Sequence, residues 1–299
     1  VQKKLLLTEA VLTVLIALAF VFSANGEVSR NLRISELLLA VSIGGVLSSS
    51  GAVFQKVLQN PLADPYILGI GSSAVLGSAI GSFLNLNKEV LSCLAGVLTS
   101  ATVCFLSDKI KNPYRLILFG VAVGAFTYSL LILLYAVAPS ETIYDAVSFS
   151  LGYITPTEIT KSLLFFLLSV VHTAVLLKVS RKVDALSLGE ELSYLSGVSF
   201  KEGTLILAFS SGIVSILVSQ VGIIGFIGIV VPNALKLVGI TDFKSLGITA
   251  TLTGALSVLV FHWISREVFR PEILPVGVFT ALFGTPIFIY LLTRSNKVA

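Results

Sequence analysis

Apolar residues run along this chain in blocks of fifteen or more, separated by short polar turns, and the blocks show no alternation of period two. A run of about 20 apolar residues crosses the hydrocarbon of a bilayer as a helix, whereas a barrel strand is shorter and alternates. The pattern predicts an all-α, polytopic membrane helix bundle of about ten spans, in one permease domain over residues 1–299. Spans are expected over 5–23, 36–58, 66–84, 89–106, 116–137, 158–179, 203–221, 246–263 and 276–293. A short or bent further helix is expected near 225–237, where Gly225 and Gly228 precede Pro232. Such breaks form substrate or ion sites in some carriers and plain packing contacts in others.

The polar segments between these runs differ in kind. Residues 55–65 form a turn with two prolines, three amides and an aspartate, read as a hairpin between two spans. After it, Gly69, Ser73, Gly77 and Gly81 recur every four residues and make a smooth stripe for another helix. Residues 25–33 and 138–157 read as loops. Residues 180–202 are too polar to cross a bilayer. There Ser187 and Glu190 have the spacing of a capping box, Glu190 and Glu191 suit a first turn, and Gly197 a stop. Leu188, Leu192 and Leu195 fall on one face. Its acidic flanks suit a soluble protein partner better than anionic lipid.

Composition agrees. The chain is 55% hydrophobic and 12% charged, about half the charge of a soluble domain. The net charge of +4 is explained by loop placement rather than by nucleic acid. With both termini cytoplasmic, 14 of the 20 Lys and Arg residues fall inside, which favours an even number of spans. Glu9 lies near an end of the first span and is expected to reach water. His172 reads as a hydrogen-bonded packing residue rather than a ligand. Cys93 and Cys104, eleven positions apart on one helix, are about 16 Å apart and too distant for a disulfide.

No nucleophile and base set, phosphate loop or metal-spaced Cys or His cluster occurs. This argues against a membrane-embedded enzyme. No row of acids marks the spans, which argues against an ion-coupled secondary carrier working alone. A carrier with neither device needs external power, and the 187–197 segment is the place to receive it.

Four stretches resemble a known family. Asn60-Pro61-Leu62-Ala63-Asp64-Pro65 with Leu68-Gly69-Ile70 is similar to the hairpin motif of the permeases of iron-siderophore, haem and vitamin B12 ABC importers. Leu186 to Glu191 with Leu195-Ser196-Gly197-Val198 resembles their cytoplasmic coupling segment. Gly225-Phe226-Ile227-Gly228 with Val231-Pro232, and Leu274-Pro275-Val276-Gly277 with Gly284 to Phe288, resemble two further motifs, in family order.

The resemblance implies an inward permease for a metal chelate, with ferric siderophore first and vitamin B12 or haem as alternatives. It implies no cofactor, no metal site and no catalysis by this chain. The implied partners are a second copy of the chain, two cytoplasmic ATP-binding subunits, an extracytoplasmic substrate-binding protein and the lipid of a prokaryotic plasma membrane. It assigns the cytoplasmic gate to Asn60, Pro61 and Leu62, and ATPase coupling to Ser187, Leu188, Gly189, Glu190, Glu191 and Leu192. Docking of the binding protein falls to Arg33, Arg266 and Arg270. Two departures stand out: Glu36 replaces a second basic residue after Arg33, and Asn233 replaces a histidine after Pro232.

Overall fold

The computed structural model describes residues 2–22, 27–106, 112–268 and 273–295, and every regular element among them is helical. The order is α1 (Gln2–Phe22), α2 (Glu27–Val57), a 3-10 turn (Pro65–Leu68), α3 (Ile70–Phe83), α4 (Lys88–Leu106), α5 (Pro113–Tyr135), α6 (Ser140–Leu151), α7 (Ile159–Lys178), α8 (Ser180–Leu186), α9 (Glu190–Leu195), α10 (Phe200–Val221), α11 (Ile227–Leu237), α12 (Phe243–Glu267) and α13 (Val276–Ser295).

Five of these are long and apolar enough to cross a membrane: most of α2, then α5, α7, α10 and α12. Four shorter apolar helices, Thr8–Phe22, Ile70–Phe83, Ile227–Leu237 and Val276–Leu291, and the apolar run of α4 occupy the other positions where spans were expected. Large apolar side chains stand exposed on α5, among them Leu118, Val121 and Phe126.

Many buried serines inside these helices are satisfied locally, although the Ser48, Ser92 and Ser210 hydroxyls are not. Ser42 Oγ donates to Leu38 O at 2.6 Å, Ser49 to Gly45 O at 2.7 Å and Ser215 to Ser211 O at 2.8 Å. Backbone carbonyls one turn back serve as acceptors where no water is present.

The chain divides into two compact units. Unit 1 holds residues 1–52, 153–178 and 224–299. Here α12 packs on α1, α7, α11 and α13. Glycines let the backbones close in: a Cβ on Gly44 would lie 2.3 Å from Gly254 O, and one on Gly51 would lie 1.9 Å from Gly228 O. No side chain fits at either crossing, which is the small-residue packing of membrane helices.

Unit 2 holds residues 53–152 and 179–223. The predicted stripe is its main seam, and α3 lies along α4. A Cβ on Gly77 would meet Leu91 O at 2.4 Å, one on Gly81 would meet Lys88 Cα at 2.6 Å, and Ser73 Oγ accepts from Thr99 Oγ1 at 2.8 Å. Val75, Ala79, Leu131 and Ala146 form a buried cluster between α3, α5 and α6.

Several expectations are corrected. The loop expected over 25–33 is helical from Glu27, because no Gly or Pro interrupts the sequence before Gly44. The loop expected over 138–157 contains α6, which starts after Pro139 with Glu141 in its first turn. Tyr66 begins no α-helix: Asp64 caps a 3-10 turn, Gly69 sits at φ +79°, and α3 starts only at Ile70. Glu9 does not reach water. It is 9% exposed, and its Oε1 accepts from Thr253 Oγ1 at 2.8 Å.

Candidate functional site

The hairpin over 57–65 lies in unit 2 and is built by its own polar groups. Asn60 N–H donates to Gln55 O at 3.1 Å, and Leu62 N–H to Asn60 Oδ1 at 2.9 Å. Ala63 N–H returns to Asn60 O at 3.1 Å. Gln59 supplies the reversal with φ +51°, an uncommon value for a residue with a side chain. The amide of Asn60 thus acts as turn chemistry. It leaves Pro61 and Leu62 exposed at the tip, Leu62 at 45%. Asp64 Oδ1 accepts from Ile67 N–H at 3.1 Å. Burial pushes its carboxyl up to about 6, against the lowering effect of the Ile67 and Tyr66 amides.

The 180–202 segment folds as two short helices rather than one. Ser187 is not the cap of α9: its Oγ donates back to Asp184 O at 2.7 Å, closing α8. Gly189, at φ +103°, precedes Glu190 at the α9 start without a side-chain cap. The capping box in this region belongs to α10, where Ser199 and Glu202 bond reciprocally. Lys182 Nζ also donates to Glu202 Oε1 at 2.7 Å. Gly197 stops α9 as expected, at φ +75°. Leu188, Leu192, Tyr194 and Leu195 are 60%, 52%, 78% and 76% exposed, so this short piece presents apolar surface beside exposed Glu190 and Glu191.

The arginines sit in unit 1, and Arg270 lies outside the described residues. Arg33 is 4% exposed; its Nη2 donates to Glu267 Oε1 at 3.0 Å, and its guanidinium lies 4.6 Å over the Phe20 ring. Arg266 Nη1 donates to Glu36 Oε1. Glu36 is fully buried, and its Oε2 lies 3.3 Å from His262 Nε2. Both arginines are therefore engaged by acids of their own chain: Arg33 and Glu36, one turn apart on α2, pair with the adjacent Glu267 and Arg266 of α12. Glu36 and Glu9 are buried acids that hydropathy blocks alone do not reveal, since each sits near the end of an apolar run.

Gly225, Gly228 and Pro232 lie in unit 1 on and before α11. This helix is short, contains Pro232, and follows an extended stretch ending with Phe226 at φ +68°. Gly225 has open space around its Cβ position, so only Gly228 is tied to a close crossing, that with α2. Asn233 Nδ2 donates to Ile229 O at 2.9 Å, backbone support one turn before. His172 is fully buried between Ser49 Oγ at 3.5 Å and Ser50 Oγ at 3.2 Å, the packing role its isolation suggested.

The described residues hold no group of three or more His, Cys, Asp or Glu placed to bind a metal. Their polar clusters position helices and turns.

The FecCD transport family matches residues 4–294. The chain is 30% identical over 283 residues to the ABC transporter permease protein YvrB of Bacillus subtilis (strain 168), covering 91% of this chain and 80% of that one. It is 30% identical over 279 residues to the hemin transport system permease protein HmuU of Yersinia pestis, covering 89% and 83%. It is 30% identical over 283 residues to the vitamin B12 import system permease protein BtuC of Photorhabdus laumondii, covering 91% and 84%. Among solved structures, a transporter described as an inward-facing, metal-chelate type ABC transporter aligns with TM-score 0.89 at 25% identity, over 98% of this chain and 99% of that chain. A chain of PsaBC from Streptococcus pneumoniae aligns with TM-score 0.59 at 17% identity over 87% and 90%, a likeness of fold alone. With the hairpin, the α9 segment and the α11 break in family order, this chain belongs to the FecCD transport family of ABC importer permeases.

Proposed function

We propose that this chain is the membrane permease of a binding-protein-dependent importer that moves a metal chelate inward. Ferric siderophore is the leading substrate, and vitamin B12 or haem are the alternatives. The observation that carries the reading is the exposed apolar face of Leu188, Leu192, Tyr194 and Leu195 beside Glu190 and Glu191. Large apolar side chains gathered on a short polar segment mark a protein contact. Under this reading that contact is a cytoplasmic ATP-binding subunit, and Ser187 to Leu192 transmit its movement. Asn60, Pro61 and Leu62 narrow the cytoplasmic end of the path. The permease is a single domain over residues 1–299, works as a homodimer with two ATPase subunits, and has both termini in the cytoplasm of a prokaryote.

The binding protein docks from the extracytoplasmic side of the membrane, around Arg33, Arg266 and Arg270. Carboxylates of that partner have to compete there with Glu267 and Glu36, so docking and the internal pairs are linked. The transport cycle is a shift between two packings, driven by contacts that differ between them.

Reconstituted vesicles test the proposal. The chain, its co-purified ATPase and its binding protein should take up one of three probes, ferrichrome, haemin or cyanocobalamin, only with ATP. Replacing Glu190 and Glu191 by Lys should abolish uptake while leaving expression intact. Uptake at an unchanged rate in that variant removes α9 from the coupling role.

A further inference from the structure

The hairpin and the α8–α9 segment are far apart in sequence, yet unit 2 fastens them together by three unlike contacts. Lys56, in the last turn of α2, pairs with Asp184 of α8. Its side chain is 11% exposed and that of Asp184 is 38% exposed, so the pair is sheltered on the lysine side. Two residues before the hairpin tip, Gln59 Nε2 donates to Leu186 O at 3.2 Å, an acceptor at the end of α8. Beneath both, Gly203 of α10 lies against Leu186 and Val57, and a Cβ there would sit 3.1 Å from each. An ion pair, a backbone-directed hydrogen bond and an apolar wedge thus meet within one turn of each helix.

On one side of this junction, Ser187 is bound back to Asp184 O at 2.7 Å and leads directly into Gly189 and α9. On the other, Asn60 N–H is bound to Gln55 O at 3.1 Å, so the hairpin is an extension of the last turn of α2. The path from α9 to Asn60 therefore contains no long flexible stretch.

We propose that Lys56, Gln59 and Asp184 form a strut that carries displacement of the α9 segment to the Asn60–Leu62 hairpin. They are positioning residues: none need touch substrate or nucleotide. The strut rests on the coupling and gating roles given above, and it goes further by assigning the transmission to three residues outside both motifs. A side-chain pair suits this task. A partly sheltered pair holds two helices in one relative position, and several contacts of different kind resist both sliding and rotation. The positive φ of Gln59 adds a reason for the amide at that place, since its side chain spans from a strained reversal to a fixed carbonyl.

The test uses the full complex in nanodiscs, the chain with its co-purified ATPase subunits. Leu62→Cys in a Cys93→Ser, Cys104→Ser background reports on the hairpin through its rate of maleimide labelling. In the otherwise unmodified strut, trapping with ATP and vanadate should change the labelling rate about tenfold, as expected for a shift between two populated states. In Lys56→Ala and in Asp184→Ala, the ATPase subunits should still co-purify and hydrolyse ATP, while the change in labelling falls below about twofold. Lys56→Arg should retain the response, and the exchange Lys56→Asp with Asp184→Lys should restore it. A purely structural role would lower yield and ATPase content together and would gain nothing from charge exchange. A full labelling response in both alanine variants overturns the strut. Absence of any response to nucleotide in the Leu62→Cys parent overturns the coupling reading itself, so the two failures are distinguishable.

Discussion

Glu36 is the residue at which this chain most departs from the pattern it resembles, and its removal has a calculable effect. The carboxylate is fully buried, bonded to Arg266 and adjacent to His262. Breaking a buried ion pair by deleting one partner costs about 3–5 kcal/mol, because the other charge is left uncompensated. Arg266→Gln leaves the fully buried Glu36 without its guanidinium and with only the His262 ring beside it, so the upper part of the range applies. Glu36→Gln leaves Arg266, whose side chain is 20% exposed and partly hydrated, so the lower part applies, about 3 kcal/mol. With both replaced, no charge remains to desolvate, and the double variant should be no less stable than the milder single. The cycle then gives a coupling at least as large as the cost of the harsher single, about 5 kcal/mol. Reversible unfolding in mixed micelles, followed by tryptophan fluorescence from Trp263 on α12, measures all four proteins. Effects of the two single changes that add within about 0.5 kcal/mol would refute the reasoning.

Other outcomes follow from local geometry. Gly51→Ala should abolish folded yield in detergent, because its Cβ would lie 1.9 Å from Gly228 O, whereas Gly225→Ala, with open space, should be neutral. Size-exclusion profiles of the two variants decide this. Asp64→Asn should raise the melting temperature more at pH 8 than at pH 5, the benefit vanishing only below the ordinary carboxyl value of 3.8. The folded carboxyl titrates near 6 rather than at its ordinary 3.8, so the folded state holds its proton more tightly and the wild type loses stability as pH rises through that window. Asparagine keeps the cap without the buried charge. A benefit of the same size at pH 5 would contradict that assignment. His172→Ala should lower stability by about 1–3 kcal/mol, by emptying a buried site and taking the imidazole partner from the Ser50 hydroxyl, while leaving uptake per folded molecule unchanged.

Long apolar blocks made the main helices legible, and the four-residue stripe from Gly69 to Gly81 located the α3–α4 seam. Polarity near the chain's turns misled in opposite ways. The charges between Glu27 and Arg33 read as a loop, yet they continue α2, and Arg33 finds its acid more than two hundred residues away on α12. The mixed composition of α6 hid a helix whose inner face needs only Thr142 and Ala146 buried. Ser187 had the right spacing to Glu190 for a capping box, but the box belongs to Ser199 and Glu202, where the backbone is extended at the cap. Local spacing fixes what a side chain can do, while competition between neighbouring carbonyls decides what it does. The engagement of Arg33 and Arg266 was invisible for the same reason: pairing across distant helices leaves no local trace.

The most direct measurement of the central claim is substrate uptake into proteoliposomes with and without the partner ATPase. With ATPase, binding protein and ATP inside, the account predicts accumulation of one of the three chelate probes, abolished by the Glu190→Lys, Glu191→Lys pair. The chain alone should accumulate nothing under a proton or sodium gradient. Gradient-driven uptake by the chain alone would contradict the claim that its movement is powered through α9.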